Sequence, residues 1–305
     1  MATFVISNLD AQDFTFENIV FKKLINDNQY IVELRDQWQR DYNATFTAVA
    51  DDNLVVAPII KNQGLLGVVD DICLLLSLAQ SRRVYCPEYT INQITDATRI
   101  FRGSKKISDK IVRNDQIESY LSTAIRILRQ PRWIQKTGFD TAAYHLMGGY
   151  YPELGEVEFM LTWIALEVLA NAHAETRKIS DILPPDKFKV VKKEVKKVLS
   201  HLEGGELIIQ KIPELNRPSI REKVDKLKSE YKWDFITDKL FSEWNKLRNH
   251  IMHTGTYAGF SQNKLIDLSV QLRDSMQLML IDLLSCSDYV NNLQGLKTRI
   301  RGSTK

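Results

Sequence analysis

The sequence predicts an α+β protein, in which a small β-rich N-terminal domain precedes an all-α helical bundle. Residues 1–60 contain short runs of β-branched and aromatic residues separated by turn-forming residues. From residue 114 onward, apolar residues recur at helical spacing in almost every segment. A chain of 305 residues is long enough for two domains. We therefore place the β-rich domain and its linker at residues 1–113 and the helical bundle at residues 114–305.

The N-terminal elements follow from local composition. The segments Phe14 to Phe21 and Leu54 to Ile60 are rich in aromatic and β-branched residues and are predicted strands, with a turn at residues 51–53. Residues 65–80 are mostly apolar and are predicted to form a buried helix. The segment Val84 to Ile91 returns to the composition of a strand.

The first helices of the bundle have recognisable ends. Asn114 is the predicted cap of a helix that runs to Gln130 and is ended by Pro131. Its inward face is predicted to consist of Ile117, Leu121, Ala124 and Leu128. A second helix follows Thr141, and a long helix runs from Gly155 to about Arg177.

The next predicted helix is strongly amphipathic. It begins at residues 184–186 and ends at Gly204-Gly205. Its apolar stripe comprises Phe188, Val191, Val195, Val198 and Leu202. Its basic face comprises Lys187, Lys189, Lys192, Lys193, Lys196 and Lys197. Residues 206–235 are predicted to be a polar connection with a short helix after Pro218.

Apolar periodicity defines the last two predicted helices. One runs from about Thr237 to His253 and is stopped by Gly255; its apolar positions are Ile236, Leu240, Trp244, Leu247 and Ile251. The other begins at Asn263 and is predicted to turn inward Leu265, Leu268, Leu272, Met276, Met279 and Leu283.

Composition excludes several classes of protein. The 44% of hydrophobic residues and 26% of charged residues are ordinary for a globular chain. The net charge of +3 is too small to identify a nucleic-acid binder by itself. The excess of positive charge lies entirely in the C-terminal half of the chain. Residues 1–150 carry 17 basic and 17 acidic residues, whereas residues 151–305 carry 24 basic and 21 acidic residues.

The three cysteines are odd in number and lack CxxC spacing, so neither a disulfide scaffold nor a zinc site is expected. We expect no metal and no cofactor, since the chain has no P-loop, GxGxxG, GxSxG or HExxH pattern. The N-terminus shows no signal peptide, and the most apolar segment, residues 64–80, is too short to span a bilayer. A cytoplasmic location without membrane contact is the expectation.

The segment from Trp244 to Gly255 is the most informative part of the chain. It places Arg248, Asn249 and His253 near the end of a helix. Asn249 and His253 are four residues apart and share a face, whereas Arg248 and His253 diverge by about 140° on an ideal helix. A break in the helix after Met252, or a second copy of the helix from a partner subunit, would bring the arginine and the histidine together.

The pattern Arg248-Asn249-x-x-x-His253 resembles the signature of the HEPN superfamily of helical-bundle ribonucleases. The segment around Leu166-Glu167-Val168-Leu169 resembles the core helix of that family, which carries an acidic residue within an apolar stripe. Residues 74–84 resemble the linker region of the Apea-like branch, in which a β-rich half precedes the helical domain. The resemblance covers residues of about 115–290 well and the first hundred residues only loosely.

The resemblance implies metal-independent endoribonucleolytic cleavage of RNA by attack of its own 2′-hydroxyl, in a cleft between two paired bundles. It implies a homodimer and a role in prokaryotic antiviral defence or a toxin system, with a phage trigger or an antitoxin as possible partner. A degenerate, non-catalytic HEPN module that binds nucleic acid, a nucleotide or a partner protein is the alternative.

The residue types suit this chemistry. Histidine moves protons because imidazole titrates near neutrality, which predicts His253 as the catalytic acid or base. Arginine donates bidentately to phosphate oxygens, which predicts Arg248 as the stabilising cation. Asn249 would orient the imidazole or donate to phosphate, and Glu167 would fix the geometry of Arg248 or His253. In the opposing interpretation, Arg248 is a surface ion-pair partner and the histidines cap the helix C-terminus.

RNA binding is predicted for a further set of residues, namely His250, Lys192, Lys193, Lys196 and Lys197. A lysine-rich helix face is also typical of a merely solvated surface. A second basic cluster in the linker could bind phosphates in the same way; it comprises Arg99, Arg102, Lys105, Lys106, Lys110 and Arg113.

Overall fold

The computed structural model describes residues 2–24, 44–50, 67–91, 94–96, 110–150, 155–179 and 182–302. A six-stranded antiparallel sheet precedes a series of helices, so the predicted α+β class is confirmed. One continuous set of buried apolar residues includes side chains of both the sheet and the helices. None of the helices in these ranges is long and apolar enough to cross a membrane.

The sheet has the strand order β2-β3-β4-β1-β5-β6. Its strands are β1 (Ala2–Ser7), β2 (Phe14–Phe16), β3 (Ile19–Lys23), β4 (Ala44–Ala50), β5 (Tyr85–Ile91) and β6 (Ile94–Asp96). β1 lies between β4 and β5, where Phe4 pairs with Ala48 on one side and Tyr89 on the other. The predicted strand at residues 84–91 is confirmed as β5.

The prediction of one strand from Phe14 to Phe21 is wrong. The chain turns at Glu17 and Asn18, which have φ of 46° and 66°, and returns as β3. A two-residue turn with positive φ at both positions matches the twist of the strands it joins and makes a tight hairpin. The predicted strand at residues 54–60 and the turn before it lie outside the described residues.

Helix α1 (Val68–Gln80) joins the sheet to the bundle. It packs on β5 and on helices of the bundle, and nearly all of its side chains are buried, as predicted. Tyr120 donates to the carbonyl of Leu75 at 3.0 Å, and Ser81 donates to Gln277 at 2.8 Å. These buried polar contacts hold the helix against the bundle.

The bundle contains ten further α-helices in the described ranges. They are α2 (Ile117–Leu128), α3 (Trp133–Thr137), α4 (Phe139–Gly148), α5 (Gly155–Thr176), α6 (Pro185–Leu199), α7 (Gly205–Leu215), α8 (Ile220–Tyr231), α9 (Asp238–Thr254), α10 (Gln262–Leu283) and α11 (Leu293–Arg301). The inward faces predicted for α2 and α10 are buried. α5 lies at the centre, because it packs against α3, α4, α8, α9 and α10.

Two predictions in the middle of the bundle are corrected. Residues 206–235 are not mainly a polar connection, since they contain α7 as well as the predicted helix after Pro218, which is confirmed as α8. α6 packs on α7, and the predicted apolar stripe of α6 is only partly covered. Its members Val191, Val198 and Leu202 remain exposed. The amphipathic pattern identified the helix, but the helix ends at Leu199 and not at Gly204-Gly205, so Leu202 lies beyond it. The pattern also did not show how much of the stripe the chain itself would bury.

Candidate functional site

Helix α9 carries the candidate site at its C-terminal end. Thr237 caps the helix, its hydroxyl accepting from the amide of Leu240 at 3.2 Å, and Gly255 ends it with φ of 73°. The buried face of α9 consists of Leu240, Phe241, Trp244, Leu247 and Ile251. This packing places Arg248 at the edge of the core, where its side chain is 31% exposed.

The structure brings three of the four predicted catalytic residues together. Arg248 donates through Nη2 to Oε1 of Glu167 on α5 at 3.3 Å and through Nη1 to Oδ1 of Asn249 at 3.0 Å. The guanidinium is therefore held between a carboxylate and an amide oxygen. A guanidinium has five N–H donors, so these two bonds leave donors for a further acceptor. The Nε–H of Arg248 has no acceptor among the described residues.

Glu167 has a second partner that sequence reasoning missed. Trp163 donates its indole N–H to Oε1 of Glu167 at 2.6 Å. The two residues are four apart on α5 and so lie on the same face of the helix. That spacing was the available signal, although the apolar helical pattern around Trp163 by itself predicts only a core residue. The indole of Trp163 therefore orients the carboxylate of Glu167, and this carboxylate in turn orients the guanidinium of Arg248.

The spacing of Val157, Leu161, Ile164 and Val168 predicts an apolar face on α5, and the structure corrects this prediction. Val157 is exposed, whereas Leu161, Ile164 and Val168 are only half-buried. The more deeply buried side of the helix contains Phe159, Trp163, Leu166, Leu169 and Ala170. The reason is that α5 is covered on several sides by other helices, so apolar residues occur around much of its circumference and no single stripe marks the inward face.

His253 lies apart from this cluster within the chain. It is exposed in the last turn of α9. α9 runs without interruption through Met252, so the structure has no helix break that would bring His253 to Arg248. Of the two arrangements that could join these side chains, only pairing with a second copy of the helix is compatible with this geometry.

His250 packs against the loop between α9 and α10. Its ring meets Phe260 edge to face, with centroids 5.4 Å apart, and a side chain at Gly259 would come within 3.5 Å of it. His250 Nε2 has no partner among the described residues. The structure thus places His250 in a half-buried position, in contrast to the exposed His253.

The lysines predicted to bind RNA lie on α6, away from the core. Lys193, Lys196 and Lys197 are exposed and Lys192 is half-buried, and Lys197 donates to Glu194 at 2.8 Å. They are carried by the hairpin of α6 and α7 and not by α9 or α5. The four lysines therefore form a group on α6 that is separate from Arg248 on α9.

The second basic cluster is only partly described. Lys110 forms an ion pair with Asp10 at 2.6 Å, and Arg113 lies 3.8 Å from Asp115. The hydrogen bond from Lys110 is the main reason why the pKa of Asp10 is lowered. Lys110 is therefore occupied within the chain. Residues 97–109, with the other four basic side chains, lie outside the described part.

A second group of titratable residues lies farther along α5. His173 is 7% exposed, and its Nε2 lies 2.9 Å from Glu230 on α8, which also binds Arg177. The hydrogen bond from Arg177 is the main cause of the lowered pKa of Glu230. A cavity of about 220 Å³ borders this group. Sequence reasoning missed the pair because its members are 57 residues apart.

Among the residues that the structure describes, no three His, Cys, Asp or Glu side chains converge to hold a metal ion. The three cysteines are buried thiols, and burial raises the pKa of Cys286 to about 12. Comparison with known protein families, curated proteins and solved structures finds no match for this chain.

Proposed function

We propose that the protein is a metal-independent endoribonuclease, with Arg248, Asn249, His253 and Glu167 as its site. The observation that carries the proposal is the contact of Glu167 with Arg248 across 81 positions of sequence. It joins the two segments whose sequences resemble the HEPN superfamily. A merely coincidental resemblance in each segment would give no reason for their side chains to meet.

Each residue has a chemical role in the proposed reaction. The 2′-hydroxyl of RNA attacks the adjacent phosphate, and the proton it loses passes to His253. Negative charge then develops on the phosphate oxygens, where the guanidinium of Arg248 donates hydrogen bonds that become stronger as the charge grows. Glu167 and Asn249 hold the guanidinium in place, which removes the cost of orienting it during the reaction. The bond from phosphorus to the 5′-oxygen then breaks, and that oxygen takes up the proton that His253 accepted. The products are a 2′,3′-cyclic phosphate and a free 5′-hydroxyl.

The proposed active form is a homodimer with a two-fold axis near the end of α9. Arg248 and His253 face different directions on one straight helix, and a two-fold interface brings two copies of one surface together. Exposed apolar side chains near the site support this arrangement. Met252 directly precedes His253 and is 57% exposed, and Ile266 near the start of α10 is 51% exposed. We also propose that this activity serves in antiviral defence or as a toxin in the bacterial or archaeal cytoplasm.

The test is cleavage of total RNA by purified protein in excess chelator, with the ends of the fragments mapped. We expect cutting to persist and to leave cyclic phosphates. Arg248→Ala and His253→Ala should abolish it, while the exposed residues Arg217 and His201 provide matched alanine controls. Cleavage that needs added magnesium or manganese, or that survives both site variants, would contradict the proposal.

A mixing experiment tests the dimer. If the arginine of one copy acts with the histidine of the other, a heterodimer of Arg248→Ala and His253→Ala contains one intact site. Random exchange should then restore about a quarter of wild-type activity from two inactive proteins. If mixing restores nothing although the subunits exchange, each site uses residues of one copy only.

A non-catalytic binding module is the second candidate. The observation in its favour is that Glu167 neutralises the charge of Arg248 within the chain. In that case the motif stabilises the junction of α5 and α9, and the bundle binds a nucleic acid, a nucleotide or a protein. Expression in cells distinguishes the candidates: a ribonuclease of this kind should slow growth, and His253→Ala should relieve the effect.

A further inference from the structure

A lysine of α8 meets the same face of α5 as the candidate site. Lys223 donates through Nζ to Oδ1 of Asn171 at 2.9 Å. Asn171 follows Glu167 by four residues on α5, so their Cβ atoms lie about 5–6 Å apart on one face of the helix. Arg248 reaches Glu167 from α9, whereas Lys223 reaches Asn171 from α8. Two cations from two different helices therefore approach neighbouring positions of one face.

The positive charge of Lys223 is not neutralised by its partner. The partner supplies a neutral amide oxygen, and no ion pair joins Lys223 to a carboxylate in the part of the chain that the structure describes. By contrast, Arg221 and Lys228 of the same helix both form ion pairs with Asp225. Of these three cations of α8, Lys223 is therefore the one that offers an uncompensated charge to an anion from outside.

The stability of α8 does not explain a lysine at this position. Lys223 lies in the first turn of the helix, where the positive end of the helix dipole disfavours a cation. Its partner adds further donors, because an amide whose oxygen accepts from the lysine still has two N–H groups. An ammonium and an amide N–H side by side are groups that phosphate oxygens accept from. The pair of Lys223 and Asn171 thus has the chemistry of a phosphate site.

We propose that Lys223 and Asn171 bind the phosphate next to the one that Arg248 binds, so that an RNA strand crosses the face of α5 between α8 and α9. Both of these helices pack on α5. The separation of about one helical turn between the two positions is comparable to the distance between neighbouring phosphates of an RNA strand. The inference rests on the proposed function. It makes Lys223 a positioning residue, since this side chain does not touch the reacting atoms.

Cleavage kinetics of the full chain test the inference, with a short synthetic RNA that contains one mapped cut site. Lys223→Ala should raise KM about fivefold, the upper range for one partly exposed ionic contact, and leave kcat within about twofold. Asn171→Asp should also raise KM, because the new carboxylate would neutralise the lysine beside it. Lys223→Arg should stay close to the wild type, since it keeps the charge.

Lys226 provides the matched control. It is an exposed lysine of the same helix and lies four residues after Glu222, so that the two opposite charges are neighbours. Lys226→Ala should therefore cut RNA as the wild type does. An equal rise of KM in Lys223→Ala and Lys226→Ala would reflect a general attraction of RNA to basic side chains and would overturn the inference. Urea unfolding checks that the variants remain as stable as the wild type.

A neutral phosphate analogue gives the sharpest test. An RNA with a methylphosphonate in place of one phosphate lacks the negative charge at that position alone. At one of the two phosphates beside the cut site, this change should weaken binding to the wild type about fivefold and leave binding to Lys223→Ala unchanged. Binding is measured with 2′-deoxy sugar at the cut nucleotide, which prevents cleavage. The slope of log K against log salt should also become shallower by about 0.7 in Lys223→Ala, as expected for one lost phosphate contact on a single strand.

The outcomes separate this inference from the proposed function. A wild type that cuts RNA, together with an unchanged KM in Lys223→Ala or equal methylphosphonate effects in both proteins, would overturn the inference alone. Protein that neither binds nor cuts RNA would overturn both. Protein that binds RNA without cutting it, and whose salt dependence becomes shallower in Lys223→Ala but not in Lys226→Ala, would support the phosphate site and contradict the ribonuclease.

Discussion

The ion pair between Glu167 and Arg248 can be measured by a double-mutant cycle. Glu167→Gln removes the charge and keeps an oxygen that can accept from the indole of Trp163, now 2.6 Å from Oε1. Arg248→Met removes the guanidinium and keeps an apolar stem of similar length. The four proteins of the cycle then isolate the interaction of the carboxylate with the guanidinium from the packing of either side chain.

The expected coupling is about 1 kcal/mol. Unit charges 3.3 Å apart attract by about 5 kcal/mol at an effective dielectric constant of 20, but the loss of hydration offsets most of this. Fully exposed pairs retain about 0.2–1 kcal/mol, and hydrogen bonds to charged groups about 1.5–3 kcal/mol. The side chains of Arg248 and Glu167 are 31% and 28% exposed. The pair is therefore intermediate between a surface ion pair and a buried one.

Equilibrium unfolding in urea, followed by tryptophan fluorescence, gives the free energy of unfolding of each protein. The coupling should fall as salt is raised to about 1 M, because the site is partly open to screening ions. If the two single substitutions add within about 0.3 kcal/mol, the carboxylate and the guanidinium do not interact in solution. In that case Glu167 does not position Arg248.

Other positions give independent expectations. His253→Ala should abolish RNA cleavage and change the free energy of unfolding by less than about 0.5 kcal/mol, because the side chain is exposed. His250→Ala should do the reverse, lowering stability by about 1 kcal/mol through the lost ring contact while leaving more activity. Gly255→Ala should cost about 1 kcal/mol in urea unfolding, since the residue has φ of 73° and a methyl group there meets no neighbour. The pKa of Asp10 is lowered by Lys110, so its pair stabilises the fold above about pH 4 and loses that contribution as pH falls through the lowered value. The stability difference from Asp10→Asn should therefore shrink in acid.

Helices with one covered side could be predicted from the sequence. α9 matches its predicted limits within one residue, because it buries a single stripe and has a capping residue at its start. α10 begins within one residue of its predicted start, where Ser261 caps it, although residues 272–281 are buried on every side. β1 could not be recognised in the same way. Five of its six residues are buried, so the alternation that marks a half-buried strand is absent. The position of α5 was predicted from the sequence, but its inward face was not, because other helices pack on several of its sides.

Some features of the candidate site could likewise be predicted from the sequence, and others could not. The sequence contained the residue types and their order on α9, so the separation of Arg248 from His253 followed from helical geometry alone. The contact of Glu167 with Arg248 depends on how α5 and α9 pack, which no local pattern specifies. Only Trp163, four residues before Glu167 on the same helix, could have been assigned to the site from spacing.

Glu167 has two opposing effects in the proposed reaction, and Glu167→Gln separates them. The carboxylate orients the guanidinium of Arg248, which favours the transition state, but it also places a negative charge beside the phosphate. Glu167→Gln should therefore bind RNA more tightly and cut it more slowly. Binding can be measured with an RNA that lacks the reactive 2′-hydroxyl, and cleavage by single-turnover kinetics with enzyme in excess. A purely structural glutamate predicts a different result, in which both constants change only as far as the fold is destabilised. Tighter binding together with slower cleavage is expected only if the carboxylate of Glu167 orients the same guanidinium that binds the phosphate.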